Sequence, residues 1–146
     1  MGFDSSVELI AVRAADTPTD TSGAWVHAPS TVSVAAGKPL VVRACDLDDF
    51  EVVLLAPRLA GGWHLLGEPS KWVSVSRQRF VGLASNATSA TAWVVGAAGE
   101  QITVAWVAPP MTAPADESTA RSTAASVVQQ SCTIGLAGSA ACVVGL

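Results

Sequence analysis

The stretch Arg79–Pro109, RFVGLASNATSATAWVVGAAGEQITVAWVAP, decides the fold class. It contains three short apolar runs rich in residues that favour strands, Arg79–Ser85, Thr91–Ala97 and Ile102–Pro109. The segments NATSA and AGE separate these runs, and their Asn, Ser and Gly are typical of turns. Short apolar runs separated by turn residues predict consecutive antiparallel strands. The stretch is therefore predicted to be a β-meander.

Similar signals continue on both sides of this stretch. Ile102–Pro109 and Phe50–Pro57 are apolar at successive positions, which predicts central strands buried on both faces. The segment Asp48–Glu68, DDFEVVLLAPRLAGGWHLLGE, is predicted to be a hairpin with a Gly-Gly connection. The remaining predicted strands are Val7–Arg13, Ala24–Ala28, Thr31–Ala36, Pro39–Cys45, Val127–Ile134 and Ser139–Gly145, the last two facing each other across a GLAG turn.

These patterns predict an all-β fold, an antiparallel β-sandwich of about 8–10 short strands. We expect residues 1–146 to form a single β-sandwich domain, because this length suits one domain and half of the residues are apolar. Residues 108–126 are rich in Pro, Ala, Ser and Thr and have few large apolar side chains. Such a segment buries too little surface to offset its ordering entropy, so it is predicted to be a mobile loop.

The composition argues against nucleic-acid and membrane partners. The formal net charge is −4 and the eight basic residues are scattered, whereas phosphate binding needs clustered Lys and Arg. No apolar run reaches the roughly 18–20 residues that cross a bilayer. The first residues lack the basic and apolar regions of a signal peptide, so we expect reduced cysteines and a cytoplasmic or plastid location. Cys132 and Cys142 could nonetheless meet across the terminal hairpin.

Two groups of residues deserve consideration as metal ligands. His27, His64 and Cys45 are ligand types that suit zinc, but they lack the short spacings of zinc sites, which favours ordinary surface or core residues. The segment CDLDDFE gathers carboxylates that can bind calcium or act as an acid and a base, but it lacks the Gly and Glu of an EF-hand loop, which favours a solvated turn: Asp46, Asp48, Asp49 and Glu51. We predict no metal, no cofactor and no catalytic residue in this chain.

The five tryptophans are the most distinctive side chains. Trp93 and Trp106 lie within predicted strands and are expected in the core. Trp63 and Trp72 flank HLLGEPSK and are predicted to be exposed. Because indole faces can stack on sugar rings, these two residues are the candidate substrate-binding residues for an oligosaccharide. Asn86-Ala87-Thr88 is a glycosylation sequon, relevant only to a secreted protein.

The order of the segments resembles a known family. Phe50–Pro57, FEVVLLAP, looks like an E-V-F-T-V-A-P element, and Trp63–Gly67, WHLLG, looks like an F-A-P-I-G element. Both occur near the C-terminus of the raffinose synthase, alkaline α-galactosidase and seed imbibition proteins, which are similar to glycoside hydrolase family 36. The chain departs from the family at Arg58, at Glu68, and at Lys71–Ser76, which replaces a Y-N-S-G-G stretch.

The resemblance implies a role without catalysis by this chain. In that family a (β/α)₈ barrel carries the two catalytic aspartates of a retaining mechanism, and a C-terminal β-sandwich packs on the barrel. The matched region would be that sandwich, a domain supporting a galactinol–sucrose galactosyltransferase or an α-galactosidase, and inactive alone. The barrel would then be the partner, and an exposed apolar patch should mark where it sits. The alternative is a free-standing carbohydrate-binding or structural β-sandwich.

Overall fold

The structure is a computed structural model that describes residues 8–13, 19–27, 31–34, 40, 52–110 and 126–146. These residues form nine strands and one short 3₁₀ helix, Ala60–Gly62. The predicted all-β fold class is therefore confirmed. The strands are β1 Leu9–Arg13, β2 Thr31–Val34, β3 Val53–Pro57, β4 His64–Gly67, β5 Phe80–Ser85, β6 Ser89–Val95, β7 Gln101–Val107, β8 Val127–Thr133 and β9 Ser139–Gly145.

The strands form three antiparallel sheets of three strands, each named here after its central strand. The β1 sheet has the order β2-β1-β3, the β7 sheet β4-β7-β8, and the β6 sheet β5-β6-β9. The predicted turn NATSA joins β5 to β6 as a hairpin, as expected. The second turn, AGE, leads from β6 in one sheet to β7 in another, so the predicted meander is wrong for its third strand.

The main core lies between the β7 sheet and the β6 sheet. Alternation along β6 places Ala90, Ala92 and Val94 inward, and alternation along β7 places Ile102, Val104 and Trp106 opposite them. Full burial of a large apolar side chain contributes about 1.5–3 kcal/mol, so this interface dominates the stability of the sandwich. The other buried members of the cluster are Trp63, Leu65, Phe80, Ala108, Ile134, Cys142 and Val144.

A second core lies on the opposite face of β7. Ala105 and Val107 pack there with Ile10 and Val12 of β1. Because β7 is buried on both faces, the prediction that Ile102–Pro109 contains a central strand is confirmed. None of the described segments forms a helix with the length and apolarity that crossing a bilayer requires.

The hairpin predicted for Asp48–Glu68 is wrong. Strand β3 belongs to the β1 sheet and β4 to the β7 sheet, and only one bridge, between Arg58 and His64, joins the two chain segments. The Gly-Gly connection is a 3₁₀ turn in which Gly61 and Gly62 have φ of 71° and 87°. A Cβ at Gly61 would collide with the backbone of Asn86, so the connection packs tightly against the β5–β6 turn.

The prediction of Phe50–Pro57 as a central strand is also wrong. Among the strands that the structure describes, β3 pairs only with β1 and so lies at the edge of the β1 sheet, and the side chain of Leu55 is 51% exposed. Apolar residues on both faces of a strand are compatible with a central strand. They are equally compatible with an edge strand that has one face lining a groove. Here Leu55 lines such a groove, between β3 and residues 72–75.

Strands β8 and β9 lie in different sheets, so the predicted terminal hairpin is wrong. The GLAG turn crosses from the β7 sheet to the β6 sheet. Cys132 lies opposite Ile102 and Cys142 opposite Ala92, so both thiols face the main core. They form a disulfide with Cα atoms 5.7 Å apart, which is an ordinary separation. The expectation of reduced thiols is therefore wrong for this pair.

Residues 19–27 form a turn where a strand is predicted. Ala24–Ala28 was predicted to be extended, but its described part forms a turn with a single bridge between Thr19 and Trp25. Gln129 takes the place of a partner strand, because its side-chain amide accepts from Trp25 N at 2.7 Å and donates to Trp25 O at 3.0 Å. The side chain therefore satisfies both backbone groups of Trp25.

Two other predictions lie outside the described residues in whole or part. Only Leu40 of the predicted strand Pro39–Cys45 is described. Most of the predicted mobile loop at 108–126, residues 111–125, is also outside. At its described ends, the backbone N–H of Ala108 donates to Ser126 O at 2.9 Å, which extends the pairing of β7 with β8.

Candidate functional site

Trp72 and Trp63, the two predicted sugar-binding residues, lie in opposite environments. Trp72 is 78% exposed, as predicted, whereas Trp63 is fully buried. The prediction of an exposed Trp63 is wrong because its ring meets Trp106 edge to face, with ring centroids 6.4 Å apart. Its Nε1 donates to the Asn86 carbonyl at 2.9 Å, so the indole is both packed and hydrogen-bonded. Trp63 therefore serves the core and does not accompany Trp72 on the surface.

The two tryptophans predicted in the core also differ from each other. Trp106 is fully buried, as predicted. The prediction for Trp93 is wrong, since its side chain is 43% exposed on the outer face of the β6 sheet. Alternation along β6 turns Ala92 and Val94 inward and therefore turns Trp93 outward. Its ring lies over Gly82, where an added Cβ would be 3.2 Å from the ring.

Trp72 is carried by the loop of residues 68–79, whose two ends are joined by an ion pair. Arg79 Nε donates to Glu68 Oε2 at 2.8 Å, and Arg79 Nη2 donates to Glu68 Oε1 at 3.0 Å. Such a bidentate pair is both strong and directional. It is also well shielded, because only 8% of the Glu68 side chain and 16% of the Arg79 side chain is exposed.

Glu100 completes a cluster of three charges with this pair. Arg79 Nη2 donates to Glu100 Oε1 at 2.6 Å and Nη1 to Glu100 Oε2 at 3.0 Å, while Nη1 also donates to Val95 O. All five guanidinium N–H groups are therefore used. The hydrogen bonds from Arg79 lower the pKa of Glu100 to about 2, and those from Glu100 and Glu68 raise the pKa of Arg79.

Backbone contacts hold the rest of the loop. Gly67 has φ of 85°, and a Cβ there would collide with the carbonyl of Ser74, so only glycine fits this close approach. Glu68 N donates to Ser74 O at 2.9 Å, and Phe80 N donates to Ser76 O at 2.8 Å. The loop that presents Trp72 is therefore fixed by its own hydrogen bonds and by the charge cluster.

Trp72 borders two concave regions. The first is a cleft of about 440 Å³ whose other walls are Glu68, Lys71, Val73, Ser76, Arg79 and Glu100. Its two carboxylates and two cationic groups balance in formal charge. The second is an apolar groove of about 280 Å³ between β3 and residues 72–75, lined by Leu55, Leu66, Val73 and Val75 among others.

The outer face of the β6 sheet is a separate surface feature. None of the three strands, FVGLAS, SATAWVV and SAACVVG, contains a charged residue. Register places Trp93 between Gly82 and Ala141, and Thr91 between Ala84 and Val143. Val143 is 53% exposed. The result is an uncharged outer face that exposes Trp93 and Val143.

The candidate metal ligands are not brought together in the described residues. His64 is buried, with Nδ1 3.0 Å from the carbonyl of Ala56, whereas His27 is exposed. Among the residues that the structure describes, no three His, Cys, Asp or Glu side chains form a potential metal site. Cys45, Asp46, Asp48, Asp49 and Glu51 lie outside the described residues.

The sequon residue Asn86 has a structural contact that sequence did not predict. Its Oδ1 accepts from the backbone N–H groups of Thr88 and Ser89, both at 2.9 Å, and so forms the β5–β6 turn. The cluster of Glu68, Arg79 and Glu100 was missed as well. These residues lie 11 and 21 positions apart, and no local pattern links them.

No protein-family model, curated protein or solved structure matches this chain. The resemblance to raffinose synthases and alkaline α-galactosidases rests on the elements Phe50–Pro57 and Trp63–Gly67. In the structure, Val53–Pro57 of the first element form β3, and the second element contains the whole of β4, His64–Gly67.

Proposed function

We propose that the chain is the C-terminal β-sandwich accessory domain of a raffinose-synthase-like enzyme. The parent enzyme is a galactinol–sucrose galactosyltransferase or an α-galactosidase, and the partner of this domain is its (β/α)₈ barrel. The all-β sandwich is the fold that the resemblance implies for this region. The catalytic carboxylates, about 5 Å apart in a retaining mechanism, belong to the barrel.

The uncharged outer face of the β6 sheet carries this proposal. An antiparallel sheet with one face in water normally has polar and charged residues on that face. Charged residues are instead depleted at the centre of protein interfaces, where aromatic residues are enriched. The face with Trp93 and Val143 lacks charged side chains and exposes an aromatic ring, and both features favour an interface over a solvated surface.

The proposed role of the domain is to stabilise the barrel by covering apolar barrel surface. Removing apolar surface from water stabilises such a contact by roughly 25 cal/mol for each Å² of apolar area buried. Binding to the folded barrel alone also raises the free energy of unfolding of the barrel through mass action. Loss of the domain then lowers activity by unfolding the barrel and leaves its chemistry intact.

Reading the DNA upstream of Met1 is the first test. An open reading frame that encodes a barrel in frame supports the proposal. If that region encodes no barrel, the proposal fails. The purified chain by itself should not turn over p-nitrophenyl α-galactoside, and measurable turnover would also contradict the proposal.

The docking face is tested in the complex with that barrel. The barrel and this chain are produced separately, mixed, and followed by analytical ultracentrifugation. Val143→Asp places a charge on the face and should weaken the complex about tenfold or more. Trp72→Ala is the matched control, because Trp72 lies outside that face, and it should leave the affinity unchanged. Equal weakening by both variants would place the contact elsewhere.

The proposed compartment is the plastid or the cytoplasm. Fluorescent-protein fusions of the complete gene product test this choice. A secreted product would contradict both locations and would make the Asn86 sequon relevant.

A further inference from the structure

We propose that the cleft beside Trp72 binds a neutral saccharide. The wall of the cleft combines one exposed indole with the carboxylates of Glu68 and Glu100, which Arg79 holds in place, and with the ammonium of Lys71. The cleft is a shallow depression of about 440 Å³ that is open to solvent. The proposal is independent of the barrel, since no residue of the cleft belongs to β5, β6 or β9.

Trp72 supplies the apolar surface for a sugar ring. Its side chain is 78% exposed. Because an indole buries a large apolar area, covering this ring with a ligand would stabilise the complex more than covering most other side chains. A pyranose ring presents C–H groups on its faces and hydroxyl groups around its edge. An indole face next to polar groups matches both parts of such a ring.

The carboxylates supply acceptors for the hydroxyl groups. Each ionised carboxylate has about four acceptor positions. Arg79 occupies two of them on Glu68, and Arg79 with the N–H of Ala97 occupies three on Glu100. The remaining position on Glu100, whose side chain is 33% exposed, can accept a hydroxyl proton, and the ammonium of Lys71 is a donor on the same wall.

The charges of the cleft select a neutral ligand. Two carboxylates face two cationic groups, so the formal charge of the walls is zero. All five N–H groups of Arg79 are already used, which removes the guanidinium that would bind a phosphate or a carboxylate. An anionic or cationic ligand therefore gains no charge complementarity here.

The site is formed before the ligand arrives. Both carboxylates are held by Arg79, and residues 68–76 are fixed by backbone hydrogen bonds. Ligand binding therefore requires little loss of conformational entropy from the protein. This arrangement favours detectable binding of even one or two sugar rings.

Calorimetric titration of the purified chain with raffinose and with maltotriose tests the proposal. We expect saturable binding of at least one of these neutral sugars in the millimolar range. Trp72→Ala should weaken that binding about tenfold, the effect expected when a stacking aromatic is removed. Because Trp72 is exposed, the variant should retain the wild-type melting temperature.

Trp93→Ala is the matched control. It removes another exposed indole from a different face and should leave the sugar affinity unchanged within about twofold. The proposal is overturned if neither neutral sugar binds, if Trp93→Ala weakens binding as much as Trp72→Ala, or if galacturonate binds more tightly than both sugars. None of these results depends on a barrel, so they leave the accessory-domain proposal untouched.

Discussion

Glu68 and Arg79 begin and end one loop, and the guanidinium of Arg79 donates two hydrogen bonds to the carboxylate of Glu68, at 2.8 and 3.0 Å. The loop is therefore closed by a side-chain pair as well as by its backbone. Glu100, which precedes β7, accepts two further hydrogen bonds from Arg79. One guanidinium thus connects the loop that carries Trp72 to the turn between β6 and β7.

Removal of Arg79 should destabilise the fold strongly. Arg79→Met retains much of the side-chain volume but leaves the nearly buried Glu68 carboxylate without its cation. We expect a loss of about 3 kcal/mol in the free energy of unfolding, measured by urea denaturation at pH 7. The control is Arg58→Met, which removes an ion pair with Glu8 that is more than half exposed on both sides. This change should cost less than about 1 kcal/mol, and similar losses in the two variants would contradict the role assigned to Arg79.

Acid should destabilise the protein in a defined pH range through Glu100. Hydrogen bonds from Arg79 lower the pKa of Glu100 in the folded state from 4.5 to about 2. A depressed pKa in the folded state gives stability that is fully present above pH 4.5 and lost as the pH falls towards 2. The free energy of unfolding should therefore fall over this range in the wild type and fall less in Glu100→Gln. Glu8→Gln, which removes the exposed carboxylate, serves as control, and a slope unchanged by Glu100→Gln would refute the assignment.

The disulfide should be a measurable part of the stability. Cys132 and Cys142 are 10 residues apart and join the β7 sheet to the β6 sheet. A closed loop of this length is expected to contribute about 2–3 kcal/mol by restricting the unfolded chain. Urea unfolding of the Cys132→Ala, Cys142→Ala double variant should show this loss.

A thiol assay provides the independent check on that bond. The chain has three cysteines, and two are joined in the disulfide. One thiol should react in denaturant without a reductant, and three should react after reduction. Three reactive thiols before reduction, in protein purified without reductant, would show that the bond is not formed.

The two buried tryptophans of the core should respond differently to the same substitution. Trp63 and Trp106 are both fully buried, but only Trp63 donates a hydrogen bond, to Asn86 O at 2.9 Å. Among the described residues, the Nε1 atom of Trp106 has no hydrogen-bond partner. Both Trp→Phe changes leave a small cavity, but Trp63→Phe also loses a hydrogen bond. It should cost about 1 kcal/mol more than Trp106→Phe in urea unfolding, and the reverse order would be inconsistent with this packing.

The local sequence predicted much of the secondary structure. The run of β-branched residues with Asn and Ser between them predicted the hairpin of β5 and β6, and apolar residues at successive positions predicted that β7 is buried on both faces. These features depend on neighbouring residues, because alternation and turn chemistry act over a few positions. The exposure of Trp72 was predicted from its position beside HLLGEPSK, an argument that failed for Trp63 at the other end of that segment.

Only the tertiary structure decided which segments meet. Two apolar runs with a Gly-Gly link, or with a GLAG turn, fit a hairpin and a crossing between sheets equally well, and the chain uses crossings in both places. The same pairing decides the burial of the tryptophans. Trp63 is buried because β4 pairs within the β7 sheet, and Trp93 is exposed because Ala90, Ala92 and Val94 occupy the inner face of β6. The charge cluster of Arg79 also depends on strand ends that are distant in sequence. Pairing between distant segments is decided by the total burial of the whole chain, which no short window of sequence contains.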